Sequence, residues 1–180
     1  MAGSAQKYSR ALYSSVSENG QLDEVKADFD EVIKAVQKTP DFTEFMANPK
    51  VAKNKRKEVV EQAFSGVVKP LYNLLLILSD RNILSEIEAV HTHFTEAYNA
   101  HYNQEHVVIE SVYELSDEEI DSIGKVFIRK TGFSKLLIEN KINEKLIGGI
   151  RVFIGTKVYD GSLRGQLADL KTQFRERTIS

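Results

Sequence analysis

The sequence predicts an α+β protein: an N-terminal six-helix bundle over residues 1–105, followed by a small C-terminal α/β domain over residues 106–180. Three observations carry that expectation. Glycine is scarce early, with only Gly3, Gly20 and Gly66 before residue 106, whereas seven glycines fall between Gly124 and Gly165. Apolar residues recur at helical period through the first 105 positions. At Val107-Val108-Ile109-Glu110-Ser111-Val112-Tyr113 the pattern changes to a β-branched run. A chain of 180 residues with 42% apolar and 28% charged residues is long enough for one large or two small domains, each with its own core.

The helices follow in order. Tyr8, Ala11, Leu12, Ser15 and Val16 share one face of a first helix, which Asn19-Gly20 closes as a left-handed cap. Leu22, Val25, Phe29, Val32 and Val36 mark a second helix that Thr39-Pro40 ends. Phe42, Phe45 and Met46 form a short third, stopped by Asn48-Pro49. The basic segment Lys50 to Lys57 leads into a fourth with Val59, Val60, Ala63 and Phe64, read as a solvated loop and helix start. Pro70 suits the first turn of a fifth, Leu71 to Leu78. Leu84, Ile87, Val90, Phe94, Ala97 and His101 trace a sixth. Short polar connections between helices imply an antiparallel bundle.

After the first strand, Ser116-Asp117-Glu118-Glu119 is a capping box that opens a helix to about Lys130. Leu136 to Glu139 and Ile147 to Ile154 read as strands, the second with Gly148-Gly149 at its start, where a bulge or close packing against a helix is expected. Gly155-Thr156-Lys157 is a hairpin turn into Val158-Tyr159. Asp160-Gly161-Ser162 is a structural turn before a last helix, whose apolar residues Leu163, Leu167, Leu170 and Phe174 recur at spacings of four, three and four.

Composition excludes several functions. There is no cysteine, hence no disulfide, thiolate metal site or cysteine nucleophile. The net charge is −2, with 12 basic against 15 acidic residues before His106 and 12 against 11 from His106 onward. Charge steering is therefore minor, and a dedicated nucleic-acid binder is not expected. No run approaches the roughly 18 apolar residues of a membrane span, and the opening residues lack a signal core or an Arg-rich transit pattern, so a soluble intracellular chain is expected. His91 and His93 project about 200° apart on a helix and cannot share a metal. Gly148-Gly149 lacks the Gly-Lys-Ser/Thr of a phosphate loop. No nucleophile, base and orienter assemble into a catalytic group, so the sequence predicts no enzyme, no cofactor and no metal.

The stretch Gly148-Gly-Ile-Arg-Val-Phe-Ile-Gly-Thr-Lys-Val-Tyr-Asp-Gly-Ser-Leu-Arg-Gly-Gln-Leu-Ala-Asp-Leu170, the opening Tyr8-Ser9-Arg10-Ala11-Leu12-Tyr13 and the break at Asn48-Pro49 together resemble the delta subunit of bacterial F-type ATP synthases. That is the family of the mitochondrial oligomycin sensitivity conferral protein. The resemblance spans essentially the whole chain. One departure stands out: the family often has Gly-Arg-Leu after its fifth helix where this chain reads Asn82-Ile83-Leu84, so no role of that arginine transfers. The resemblance implies a non-catalytic stator on the cytoplasmic side of the bacterial membrane. In it, the bundle holds the N-terminal helix of an alpha subunit between the first and fifth helices, and the C-terminal domain engages the b-subunit stalk, with membrane contact only through the complex.

Leu74 to Leu78 is the most informative run in the residues themselves. Five consecutive apolar residues cover about 400° of helical arc, so the fifth helix must be covered all round. Either its neighbours wrap it completely, or one flank is a groove for a partner helix. Under the second reading, Leu71, Leu74, Leu75 and Leu78 face Tyr8, Ala11, Leu12 and Ser15, where the small Ala11 and Ser15 permit close approach. Leu163, Leu167, Leu170 and Phe174 pack on a sheet or another helix, and the resemblance makes them candidates for the stalk contact. An alternative of a different class is an RNA-binding adaptor using Tyr113, Phe153 and Tyr159 on the strands, although few cations interleave with them.

Overall fold

The structure is a computed structural model that describes residues 2–162. The chain divides into two compact units, Met1–Asn99 and Ala100–Ser180. The helix expected after Ser162 lies outside the described residues.

The first unit holds helices α1 (Ala2–Glu18), α2 (Leu22–Gln37), α3 (Pro40–Ala47), α4 (Lys53–Ala63) and α5 (Lys69–Asp80), then a 3₁₀ turn at Leu84–Glu86 and most of α6 (Ile87–His101). The predicted breaks operate as expected. Gly20 takes φ 67° while Gln21 N–H donates back to Val16 O at 3.0 Å, closing α1. Asn48 is extended ahead of Pro49, ending α3. Asn82, at φ 58°, adopts the left-handed conformation after α5, where Ile83 N–H reaches Leu78 O at 2.9 Å. Asparagine tolerates that geometry better than most residues. This reversal also explains why Leu84 begins a tight 3₁₀ turn and not the sixth helix itself. The core runs through Val16, Val25, Phe29, Leu71, Leu75, Leu78, Val90 and Phe94, each fully buried. The rings of Phe29 and Phe94 lie 5.8 Å apart.

α5 lies at the centre, packed against α1, α2 and α4. Its free amino end is tied to α2, where the Asp28 carboxylate accepts the Val68 N–H at 2.7 Å. A second α2 tie reaches α6: Asp30 Oδ1 sits 2.6 Å from His91 Nε2, beside Lys26. The His91 ring stands edge-on to Phe29 at 4.9 Å.

In the second unit a mixed sheet has the order β2-β1-β3-β4. Its strands are β1 (Gln104–Ser111), β2 (Lys135–Ile142), β3 (Ile150–Ile154) and β4 (Lys157–Asp160). β2 runs parallel to β1 through the crossover helix α7 (Asp117–Thr131), and the other pairs are antiparallel. The capping box is present: Ser116 Oγ accepts Glu119 N–H at 3.3 Å, and Glu119 Oε2 accepts Ser116 N–H at 2.9 Å. Gly155, at φ 55°, occupies the first position of the two-residue β3–β4 hairpin, the conformation a type II′ turn requires.

The register sorts the sheet into two faces. Val107, Ile109, Val152 and Ile154 point inward to Ile120, Ile123 and Phe127. The outer face carries a row of charge, Lys141, Glu110, Arg151 and Asp160, lying side by side across the four strands. There the Arg151 guanidinium spans three strands, 3.6 Å from Glu110 on β1 and 3.0 Å from Asp160 on β4.

One expectation needs correction. β3 begins at Ile150, not at Ile147. Gly149 turns at φ 75°, and what approaches it is the backbone of Gly161 and Ser162, not a helix; a Cβ there would clash with Gly161 O and sit 3.0 Å from Ser162 Cα.

Candidate functional site

The sequence places its candidate site on α1 and α5, and the two helices do pack together. The inward face of α1 is Ala5, Ser9, Leu12 and Val16, all buried. Next to that face, Gln6, Arg10 and Tyr13 line a cavity of about 390 Å³ with His93 and Glu96 of α6. Helical geometry therefore puts Tyr8, Ala11 and Ser15 on the opposite flank, away from α6. Tyr8 is half-buried there, while Ala11 and Ser15 are exposed.

The predicted wall on α5 is not open. Leu71, Leu75 and Leu78 are 0% exposed and Leu74 is 6%. Leu12, assigned to the opposing wall, is also buried. These five side chains fill the bundle's own core. The arc argument required α5 to be covered all round; α1, α2 and α4 cover the side that carries Leu71, Leu74, Leu75 and Leu78 and leave the other side accessible. Among its apolar residues, α5 leaves accessible Ile77, 45% exposed, with half-buried Tyr72 and Leu76 on the other flank and exposed Asn73 between them. Of the eight predicted residues, Tyr8, Ala11 and Ser15 remain accessible, and the accessible apolar residues of α5 are ones the leucine pattern hides. Ile77 lies within the predicted run, but periodicity alone does not tell which member of an all-apolar turn faces out.

Arg56 also departs from expectation. Within the basic segment expected to be solvated, its guanidinium is buried on α4, with Nη1 donating to Val51 O at 2.8 Å. Its neighbours behave as surface charges, Lys53 pairing with Asp80 at 2.6 Å and Lys55 with Glu58 at 2.8 Å.

Electrostatics in the bundle centre on Asp30. Burial raises its carboxyl pKa, but hydrogen bonds from Lys26 and His91 and their charges outweigh that and hold it below 3.8. In the second unit, the hydroxyl and N–H of Ser162, followed by Arg151, lower the Asp160 carboxyl. Each arrangement ties structure together, and neither sets an acid beside a base in a cleft. His91 pairs with Asp30 and His93 with Glu96 at 3.0 Å, two separate contacts on α6.

The sequence, which folds into a helical bundle followed by a small mixed sheet, matches a known family. Residues 5–174 match the family model described as the ATP synthase delta (OSCP) subunit. The ATP synthase subunit delta of Macrococcus caseolyticus is 44% identical over 171 residues, covering 95% of this chain and 97% of the relative. That of Staphylococcus carnosus is 41% identical over 175 residues, covering 97% and 98%. Among solved structures, a chain of the Toxoplasma gondii mitochondrial ATP synthase hexamer superposes with a TM-score of 0.74 at 18% identity, over 94% of this chain and 96% of its own length. The chain belongs to the ATP synthase delta (OSCP) subunit family.

Proposed function

We propose that the chain acts as a two-ended clamp, its bundle receiving the N-terminal helix of an alpha subunit and its C-terminal unit meeting the b-subunit stalk. It is a non-catalytic subunit of the F-type ATP synthase and part of the peripheral stalk. Membership of a membrane-bound complex makes it peripheral, and among the described residues no helix is long and apolar enough to cross a membrane. We place it on the cytoplasmic side. The observation that carries the reading is the near-complete match to delta subunits across both units.

The docking surface for the alpha helix is the outer flank of α1, with Tyr8, Ala11 and Ser15, together with the accessible part of α5. Ala11 and Ser15 are small enough for a partner helix to approach closely, and Tyr8 supplies an aromatic wall. Two linked contacts also hold better than either alone, because binding at one end raises the local concentration at the other. That is what a stator needs in order to resist torque. The RNA reading has no support: on the outer sheet face Arg151 pairs with Glu110 and Asp160, and Lys141 with Glu139 at 3.4 Å.

Titration with a peptide of the cognate alpha N-terminus tests the reading. Ala11→Arg adds a long charged side chain at an exposed position and should weaken binding at least tenfold, about 1.4 kcal/mol, with an unchanged circular dichroism spectrum. Ile77→Asp and Leu76→Asp, on opposite flanks of α5, show which flank completes the surface. Unchanged affinity in all three variants would remove α1 and α5 from the interface. Leu75→Asp, at a fully buried position, would instead unfold the bundle.

A further inference from the structure

Asn19-Gly20 is the one Asn-Gly pair in the sequence; none of the other eight asparagines precedes a glycine. The pair closes α1, and both residues are exposed. A Cβ added at Gly20 would meet nothing within 4 Å, so its peptide group has room to turn. Its N–H is held loosely, donating to Ser17 O at 3.4 Å. The Asn19 carboxamide is tied by an exposed contact, Nδ2 donating to Ser15 O at 2.8 Å, which water can replace at little cost. The second unit holds a related pair, Asp160-Gly161, in a locked form. There the Gly161 N–H donates to Ile150 O at 2.9 Å, and the Gly161 carbonyl backs onto Gly149. The Asp160 carboxylate accepts the Ser162 N–H at 2.9 Å and lies 3.0 Å from the Arg151 guanidinium. One glycine nitrogen can swing toward the side chain that precedes it; the other is pinned.

We infer that Asn19 is a deamidation site at the end of α1. The Gly20 nitrogen gives up its proton to base and attacks Asn19 Cγ, and glycine has no side chain to shield that nitrogen. A C–N bond forms, the Cγ–Nδ2 bond breaks, and the amide group leaves as ammonia. Water then opens the cyclic imide at Cγ, giving aspartate, or at the main-chain carbonyl of residue 19, giving isoaspartate. Nothing is oxidised or reduced, and water is the only co-reactant. A carboxylate can only accept hydrogen bonds, so the product is repelled by Ser15 O. Its charge also falls at the unfavourable end of the α1 dipole. In isoaspartate the main chain runs through Cβ and Cγ, and this added length pulls the Gln21 N–H away from Val16 O. The site stands independently of the clamp reading. Its consequence rests on that reading: Ser15 lies on the docking flank of α1, so the unbound protein ages at the edge of its own interface.

Incubation of the full chain at mildly alkaline pH in heavy-oxygen water, followed by peptide mass mapping, tests this. The peptide carrying Asn19 should take up label before any other, at a rate that rises with pH. That rate should lie within about tenfold of the rate in a synthetic Ser14–Asp23 peptide, because an exposed turn opens locally at little cost. Protein isoaspartyl methyltransferase should then methylate the same peptide, and Asn19→Gln should suppress the labelling with the circular dichroism spectrum unchanged. Asp160→Asn puts the reactive pair into the locked turn. With exchange protection in β3 and β4 intact, position 160 should react at least about tenfold more slowly than position 19 in the same molecule. If that protection is lost, the comparison of the parent chain with the synthetic peptide decides. Labelling first at another asparagine, protection of Asn19 beyond about a hundredfold relative to the peptide, or equal rates at the two positions in the folded variant would each overturn the inference. A bound peptide of the alpha N-terminus should slow the reaction at Asn19. An undiminished rate with that peptide bound would refute docking at this end of α1 and leave the deamidation site standing.

Discussion

α2 and α7 are both strongly amphipathic helices of similar length, yet they end up differently. α2 buries Leu22, Val25, Phe29, Val32, Ile33 and Val36. α7 fully buries no apolar side chain. The difference lies in what each rests on: α2 is enclosed by other helices that bring their own apolar stripes, while α7 is the one helix of the second unit among the described residues that packs on the four-stranded sheet. Amphipathicity states what a helix can bury, and only its neighbours decide how much it does bury. Among the described residues, the first unit is thus the more closely packed and the second the more tolerant.

The contrast can be broken at several points. The largest effect is expected in the closed unit, where Phe29→Ala removes a 0% exposed ring and should cost about 3–5 kcal/mol by chemical denaturation, with hydrogen-exchange protection falling in α2, α5 and α6. A loss below about 1 kcal/mol would mean the bundle is not close-packed. Next comes the rigid spot of the second unit. Gly149→Ala forces a side chain into a positive φ against the Gly161 carbonyl and should cost about 1–3 kcal/mol, with lost exchange protection confined to β3 and β4.

A matched pair of small-to-larger substitutions then compares the units directly. Ala5→Leu, at a 2% exposed site, should overpack the bundle by about 1–3 kcal/mol. Gly124→Ala meets only the terminal methyl of half-buried Ile138, which can swing aside, while the helix gains up to about 1 kcal/mol of propensity. It should be neutral or stabilising in thermal melts. If both substitutions cost alike, the second unit is as tightly packed as the first.

The smallest effect is electrostatic. Asp30 has a folded-state pKa below 3.8, so its charged form stabilises the bundle above the unfolded value, and that stability is lost as pH falls through the folded one. Asp30→Asn should therefore be slightly less stable than the parent above about pH 5, with the gap closing below 3.8. A gap that does not narrow at all as the pH falls would assign the effect to packing.

Helix breaks are legible in the sequence because they depend on residues with hard local rules: Gly20, Pro40, Pro49 and the Ser116–Glu119 box each act on backbone within a few positions. Topology follows from the change of apolar period at Val107. What stays hidden depends on neighbours. The run Leu74 to Leu78 announces that α5 needs cover but does not say that α1, α2 and α4 supply it, so five core residues look like a docking wall. Likewise, the apolar pattern marks the face of α1 one step around the helix, at Tyr8, Ala11 and Ser15, because Ala5 and Ser9 are not apolar enough to reveal the true inner side. Arg56 is hidden for the opposite reason: nothing in a lysine-rich segment signals that one cation turns inward to reach Val51 O.

The guanidinium of Arg151 gives the small unit a way to bear load. It grips a carboxylate on each adjoining strand, so β3 cannot slide lengthwise without giving up both at once. A two-residue slip that preserved the inward pattern would carry Arg151 about 7 Å away from Glu110 and Asp160. Pulled along its strands, the sheet then yields in a single step and does not creep, a property suited to a part that is tugged with every turn of a motor.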